Sequence, residues 1–460
     1  MRVGAWLLAM GCARAAAGDA FLANWMLELL PVTANCTLMD LTLCGSHDTL
    51  TYDLSEFVSD GAIDDSPELS RVLHDLGPLV PGNFIREQAR AQLLTVTEQL
   101  DNGARFLDIR IMYEETSGAW YSLHFVRSNQ IALVYLREIR AWLDAHPQEL
   151  LVIEISKHGS ECAKGNDQYP FVSIALKQAF WDQIAQVFGG LLVEKGSHPL
   201  NTTSIAELLR ANMRVALFTA DWVEFTGSSP LAHDLCAQTQ WQSPPGADNE
   251  VAAPAWEASY YASAKQGRAE GKAAGVLHIL GLQDATAGWL VEAFAKLYFD
   301  PFAKDANARA CASQFKIPNM TAFCPGPLQD LVKLNNYYKS QLLAKVPETA
   351  EWDFPNVVAV DDVGQNGTML VDSAAGTDGA VRRVALVDTA ILATLRRLCT
   401  VTPAAEQAAA ASRGDIGAGG ASYESSCQAL TALVEARRAR FPSQRWDDRD
   451  HGRLTDWPSA

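Results

Sequence analysis

Four short groups of residues in this chain have the types and spacing needed for acid–base chemistry on a charged substrate. The first is Gly45-Ser46-His47-Asp48-Thr49, directly after the apolar run Leu38–Cys44. Imidazole titrates near neutral pH, so His47 at the end of a buried strand is placed to move protons. The same segment also reads as a helix cap, because Ser46, Asp48 and Thr49 can each accept from free N–H groups. The second group is Phe106-Leu107-Asp108-Ile109-Arg110, where Asp108 and Arg110 stand two apart and share one face of a strand. On a buried face such a pair is either a self-satisfied ion pair or an anion clamp, since guanidinium offers a planar fork to phosphate. The third is His124 within the apolar run Tyr121–Val126, which alone reads more simply as a core histidine. The fourth is Val357-Val358-Ala359-Val360-Asp361-Asp362, where two carboxylates close an apolar strand. They suit a metal site or the orienting of a histidine, although solvent-facing loop charge is the simpler reading in isolation.

Apolar runs that read as buried parallel strands would position these groups. They are Leu38–Cys44, Arg105–Met112, Tyr121–Val126, Leu150–Ile155, Arg214–Thr219, Val276–Leu282 and Val357–Val360. Helical patterns alternate with them at Ile131–Ala145, Phe171–Phe188, Ala287–Tyr298 and Leu328–Leu343. This alternation predicts an α/β fold, a distorted TIM-type (β/α)8 barrel, in which catalytic groups sit at the C-terminal ends of strands. A doubly wound open sheet is the competing architecture, but no Gly-rich turn links the first strand to a helix. Asp53 to Glu98 reads as a helical insertion and Gln240 to Ala255 as a loop. Ala404 to Ser422 is Ala- and Gly-rich, close to low complexity, and Glu424–Phe441 is helical again. The domain expectation is therefore a barrel over residues 19–395 and a partly low-complexity, helical appendage over 396–460.

The N-terminus has a basic start at Arg2, an apolar run from Val3 to Ala13, and small residues at Ala15-Ala16-Ala17-Gly18. That layout predicts a secretory signal peptide over residues 1–18 and an extracellular protein. A lipoprotein signal ending at Cys12 is the weaker alternative. Beyond Cys12 the remaining cysteines are even in number, which in an exported chain suits disulfides. Sequence neighbours suggest Cys36–Cys44, Cys311–Cys324 and Cys399–Cys427, with Cys162–Cys236 left over. Sequons at Asn35, Asn201, Asn319 and Asn366 predict a glycoprotein. The formal net charge of -17 argues against a nucleic-acid partner, which would need a basic face.

Together the four groups resemble the phosphatidylinositol-specific phospholipase C X-domain family. Glu138-Ile139-Arg140-Ala141-Trp142-Leu143 and then His146-Pro147-Gln148-Glu149-Leu150-Leu151-Val152-Ile153-Glu154 add to that resemblance. It covers roughly Leu38 to Gly364 and is thinnest between Ser160 and Thr349. The resemblance implies a phosphodiesterase acting on a phospholipid, at a membrane surface, as a monomer. It assigns His47 as general base and His124 as general acid. Asp361 would pair with His47, Asp48 would support His124, Arg110 would bind the phosphate, and Asp108 would hold Arg110. Lys157 would add a second positive charge. Calcium-dependent relatives carry Asn after the first His and Glu-x-Asp on the second strand; Asp48 and Asp108-x-Arg110 stand there in this chain. No cofactor is expected, Ca²⁺ included, because a guanidinium can supply the positive charge. The family usually has Gly after the second His, where this chain has Phe125. Glycerophosphodiester phosphodiesterase is a rival, but its His-Arg and Glu-x-Glu motifs are missing. A catalytically silent X domain that binds lipid head groups or a partner protein is the other.

Overall fold

A computed structural model describes residues 20–58, 85–86, 89–156, 172–219, 231–234, 238–242, 275–282, 355–361, 363–364, 368–372, 381–401 and 422–440. The strands are β1 (Leu43–Ser46), β2 (Leu54–Val58), β3 (Phe106–Glu114), β4 (Ala119–His124), β5 (Val126–Ile131), β6 (Leu151–Ser156) and β7 (Val215–Thr219). They continue with β8 (His233–Asp234), β9 (Thr239–Gln242), β10 (Leu277–Leu282), β11 (Val357–Val360), β12 (Thr368–Asp372) and β13 (Val381–Ala385). Parallel pairing runs β8-β7-β6-β3-β1-β11-β10-β9. The chain order of these strands is thus followed step by step, and the last strand, β11, pairs with the first, Cys44 opposite Val358 and Ser46 opposite Val360. Among the described residues β8 and β9 do not pair, so the sheet is open at that edge.

Alternation decides which side chains face which way. Leu107, Ile109, Leu151, Ile153, Val215 and Leu217 form one apolar cluster with the helices outside the sheet. Phe106, Val152, Ala216 and Phe218, one residue out of step, join the other cluster. Asp108 and Arg110 share the parity of Phe106, and Glu154 shares that of Val152. Only glycine fits at position 45 of β1, because a Cβ there would come within 2.8 Å of Val357 and 2.9 Å of Phe106.

The helices are α1 (Ala20–Ala23), α2 (Trp25–Thr33), α3 (Val96–Asp101), α4 (Ala132–Ala145), α5 (Ile174–Phe188), α6 (Ile205–Arg210), α7 (Val387–Val401) and α8 (Tyr423–Arg438). Helix α4 buries Leu136, Ile139 and Leu143 at helical spacing. Helix α2 lies across the N-terminal end of the strands, where Arg105 and Glu149 form a fully buried pair at 2.7 Å. Arg105 also donates to the carbonyls of Leu22 and Ala23, and Glu149 accepts from the N–H of Leu27 at 3.0 Å. Helix α7 runs through the expected boundary at 395/396 and packs against β1, with Thr42 N–H donating to Thr394 Oγ1 at 2.9 Å. Helix α8 is tied to it by the Cys399–Cys427 disulfide. Among the described residues no helix is long and apolar enough to cross a membrane.

Several expectations need correction. The first strand begins at Leu43, because Leu38–Asp40 is a 3₁₀ turn closed by a Thr37–Asp40 capping box. The run containing His124 is not a parallel strand of the sheet. It is β4, antiparallel to both β3 and β5 in a hairpin built onto the sheet. The segment from Asp53 to Glu98 is not purely helical, since β2 pairs with β5 and extends that hairpin. Thr239–Gln242, partly inside the expected loop, is a strand. Cys36 and Cys44 are not joined in a disulfide. Cys36 directs its sulfur to the carbonyl of Val32 in the turn after α2, whereas Cys44 is sealed in the core of β1. The expected pairs Cys162–Cys236 and Cys311–Cys324, the helices Ala287–Tyr298 and Leu328–Leu343, residues 1–18, Asn319, Asn366 and Lys157 lie outside the described residues.

Candidate active site

β3 belongs to two layers. Phe106 to Arg110 pair in parallel with β6, and Ile111 to Glu114 turn away to pair with β4. Asp108 and Arg110 therefore occupy the last two inward positions before the strand leaves the parallel sheet. The β4–β5 hairpin brings the chain back, and His124 ends β4 at the same mouth. His47 follows β1 directly, its N–H donating to Val360 O at 3.0 Å. That register sets Asp361, the next residue of the neighbouring strand, beside the imidazole.

His47 lies between an anion and a cation. Its Nδ1 donates to Asp361 Oδ1 at 2.7 Å, and Arg110 Nη2 donates to its Nε2 at 2.7 Å. A guanidinium has no acceptor, so Nε2 carries the lone pair and Nδ1 the proton. Arg110 is held in turn by two buried carboxylates. Its Nε is 2.8 Å from Asp48 Oδ1 and its Nη2 is 3.1 Å from Asp108 Oδ2. Asp108 also accepts from the Asp48 N–H at 3.1 Å. Asp48 has left-handed backbone, φ 46°, a conformation Asp tolerates better than most residues. Burial lowers the proton affinity of His47, but the charges of Asp48 and Asp361 outweigh it and the net direction is upward from 6.5.

His124 donates from Nδ1 to the Ala89 carbonyl at 2.6 Å, which leaves Nε2 directed elsewhere. Asp48 Oδ2 stands 3.6 Å from His124 Nδ1 and 3.5 Å from His47 Nε2, so one carboxylate lies between the two rings. The side chains of Arg110 and His124 are 21% and 16% exposed, whereas Asp48, Asp108 and Asp361 are sealed. An incoming anion therefore meets Arg110 and His124 first.

All six candidate residues in the described part of the chain, His47, Asp48, Asp108, Arg110, His124 and Asp361, converge at this mouth. Four further contributors were not legible as site residues. Gln92 is fully buried and donates from Nε2 to His47 O at 2.8 Å and Val360 O at 2.9 Å. Its Oε1 accepts from Val363 N–H, so it ties the His47 loop to the segment carrying Asp361. Ala89 contributes only a carbonyl, for which sequence holds no signal. Trp241 meets His47 edge-on, ring centroids 6.4 Å apart, and Glu154 accepts from its Nε1 at 3.0 Å. Glu154 did leave a trace, as the one charge in the apolar run Leu151–Ile155.

Phe125 alone links β4 to β5, since His124 pairs with Val126. Its φ is 63°, the left-handed region that strains a residue with a Cβ and suits glycine. Its ring stacks on His124 with centroids 4.8 Å apart and planes at 25°.

Part of this chain is similar in sequence to known proteins. The PI-PLC X family model matches residues 82–179, a stretch that holds Asp108, Arg110 and His124. The PI-PLC X domain-containing protein 1 of Mus musculus is 35% identical over 140 residues, 28% of this chain and 38% of the relative. Its Homo sapiens counterpart is 29% identical over 163 residues, 35% of this chain and 49% of the relative. The chain thus spans less than half the length of the curated relatives it matches. Among solved structures, phosphatidylinositol-specific phospholipase C from Listeria monocytogenes overlays at a TM-score of 0.44 with 10% identity, covering 75% of this chain and 96% of that one.

Proposed function

We propose that this chain, which carries a PI-PLC X domain, is a metal-independent phosphodiesterase that cleaves a phosphoinositide-type head group from diacylglycerol. The observation that carries the reading is His47, with Nδ1 on Asp361 and its basic Nε2 turned to the mouth beside Arg110. In the proposed reaction a phosphate oxygen takes up Arg110 donors at the mouth, which frees Nε2. His47 Nε2 then removes the proton from a head-group hydroxyl, and that oxygen attacks phosphorus. The bond from phosphorus to the diacylglycerol oxygen breaks, and His124, acting as an imidazolium that keeps its Nδ1–H on Ala89 O, gives its Nε2 proton to that oxygen. The products are a cyclic phosphate and diacylglycerol. Asp361 fixes the tautomer of His47 and stabilises the imidazolium that forms. Arg110, already oriented by Asp48 and Asp108, meets the charge that develops on phosphate without having to reorganise.

The reading without metal rests on where Arg110 lies. His47, Asp48 and Asp108 present ligand atoms within 4.8 Å of one another, a spacing that suits a cation. The guanidinium, in contact with both carboxylates, already supplies that positive charge. We also read the sheet as a closed barrel, because Glu154 of β6 and Trp241 of β9 touch although their strands are not neighbours. Secretion is part of the proposal and follows from the N-terminal pattern alone, whereas a lipid surface as the place of action follows from the resemblance to phospholipases.

The test is incubation of the purified protein with phosphatidylinositol vesicles, with and without EDTA, with inositol cyclic phosphate as the readout. EDTA-resistant product that disappears in His47→Ala and in His124→Ala is expected. A strict need for Ca²⁺ would overturn the role given to Arg110. No product from any phosphodiester would leave the silent head-group binder as the better reading.

A further inference from the structure

Glu154 is a buried carboxyl group that the reaction above does not use. It sits on β6 in register with Asp108 of β3 and is 5% exposed. Burial first, and then the charge of Asp108, push its pKa up to about 8. Trp241 Nε1 donates to its Oε2, while Arg110 and His47 exert weaker opposing pulls on its charge. The indole so held packs against Phe106 at 5.9 Å and stands edge-on to His47 at 6.4 Å, planes at 69°. It is the aromatic wall of the imidazole, and its one polar atom is committed to Glu154.

We propose that Glu154 is a positioning residue for His47 and acts through Trp241. The carboxyl group fixes the indole, and the indole wall holds the imidazole in the orientation that keeps Nδ1 on Asp361 and Nε2 toward the mouth. Without the acceptor, the indole N–H is left unmet in a half-buried site, where an unpaired donor is costly, and the ring turns to find a partner. His47 then loses its wall while Asp361 and Arg110 remain in place. The inference rests on the reading of His47 as general base, but its physical content, the orientation of one imidazole, can be measured without turnover.

The experiment compares Glu154→Leu, Glu154→Gln and Trp241→Phe with the unaltered chain, all as the full-length protein. The first readout is nuclear magnetic resonance of the His47 imidazole in protein carrying ¹⁵N-labelled histidine, with His47→Asn to assign the signal. The low-field Nδ1 proton shared with Asp361 should broaden or disappear in Glu154→Leu and Trp241→Phe, and return in Glu154→Gln, whose carbonyl still accepts from the indole. The second readout is cleavage of phosphatidylinositol. Both disruptive variants should lower kcat on the order of tenfold with little change in KM, since misplacing a reacting group costs rate more than affinity. A double variant combining Glu154→Leu with Trp241→Phe should be no worse than either single one. An unchanged His47 signal in both disruptive variants, or additive losses in the double variant, would overturn the proposal. If Glu154→Leu does not fold, Trp241→Phe carries the same test with an aromatic ring kept. If the unaltered chain cleaves no phosphodiester, the proposed reaction falls, and the imidazole signal still decides the positioning role.

Discussion

Arg110 Nη2 lies 2.7 Å from His47 Nε2, opposite the side of the ring that meets Asp361. One guanidinium thus holds the base's lone pair, spans two carboxylates and reaches solvent. Lysine is a point charge and cannot make these contacts together. Arg110→Lys is expected to lower cleavage of phosphatidylinositol by roughly 10²-fold or more, the usual loss on removing one preorganised donor. Initial rates on vesicles check this, and a loss under threefold would contradict it.

The raised proton affinity of His47 has a signed consequence. As a base it must be unprotonated, so kcat/KM should fall toward acid pH with an apparent pKa above 6.5. Asp361→Asn removes one of the charges that raise it. The acid limb should then move to lower pH, with a rate loss that can approach about 10⁴-fold, as when a buried triad carboxylate is replaced by its amide. Because the folded value is above the unfolded one, protonated His47 stabilises the fold fully below about 6.5 and loses that contribution as pH rises through the folded value. Melting curves of the unaltered chain and His47→Asn across this range should converge with rising pH.

Phe125→Gly removes a left-handed strain of about 1 kcal/mol and also the ring stacked on His124. The melting temperature is expected to hold or rise. Modification of His124 by diethyl pyrocarbonate should quicken, because one face of the imidazole is uncovered. A modification rate equal to that of the unaltered chain would show that the stack does not shield His124.

Far from the mouth, Glu149→Ala leaves Arg105 charged, buried and unpaired, and strips an acceptor from the first turns of α2. A loss of about 3–5 kcal/mol is expected in denaturant unfolding. Replacing both partners by apolar residues of similar volume should cost much less.

Thiol chemistry separates the cysteines. Cys44 is buried and its pKa is pushed up to about 12, chiefly by burial, so alkylation should reach it only after unfolding. Cys36, partly exposed, should react in the native protein. Peptide mapping should recover Cys399 and Cys427 linked, and reducing that bridge should cost about 3–4 kcal/mol for a loop of 28 residues.

Local pattern was sufficient for several parts of this protein. The two-residue spacing of Asp108 and Arg110 dictates a shared face on any strand, and the structure puts both at the mouth. The runs at β6, β10 and β11 and the amphipathic repeat of α4 were readable because their periodicity does not depend on what lies across the interior. The pairing of Cys399 with Cys427 was legible too, because the two cysteines are neighbours in the sequence.

What periodicity left open was decided across the fold. An apolar run shows that a strand is buried but not whether its partner runs parallel, so β4 passed for a strand of the parallel sheet. Cys36 and Cys44 are neighbours in sequence, yet one lies at a helix end and the other faces the core. Asp361 reaches His47 only because β11 pairs in register with β1, more than 300 residues earlier in the chain. The Ala89 carbonyl on His124, the Gln92 tie and the Glu154–Trp241 contact depend on backbone placement and strand register. Residue types and their spacing carry side-chain chemistry and local periodicity. Which distant groups meet is set by the pairing of strands, and that exists only once the chain has folded.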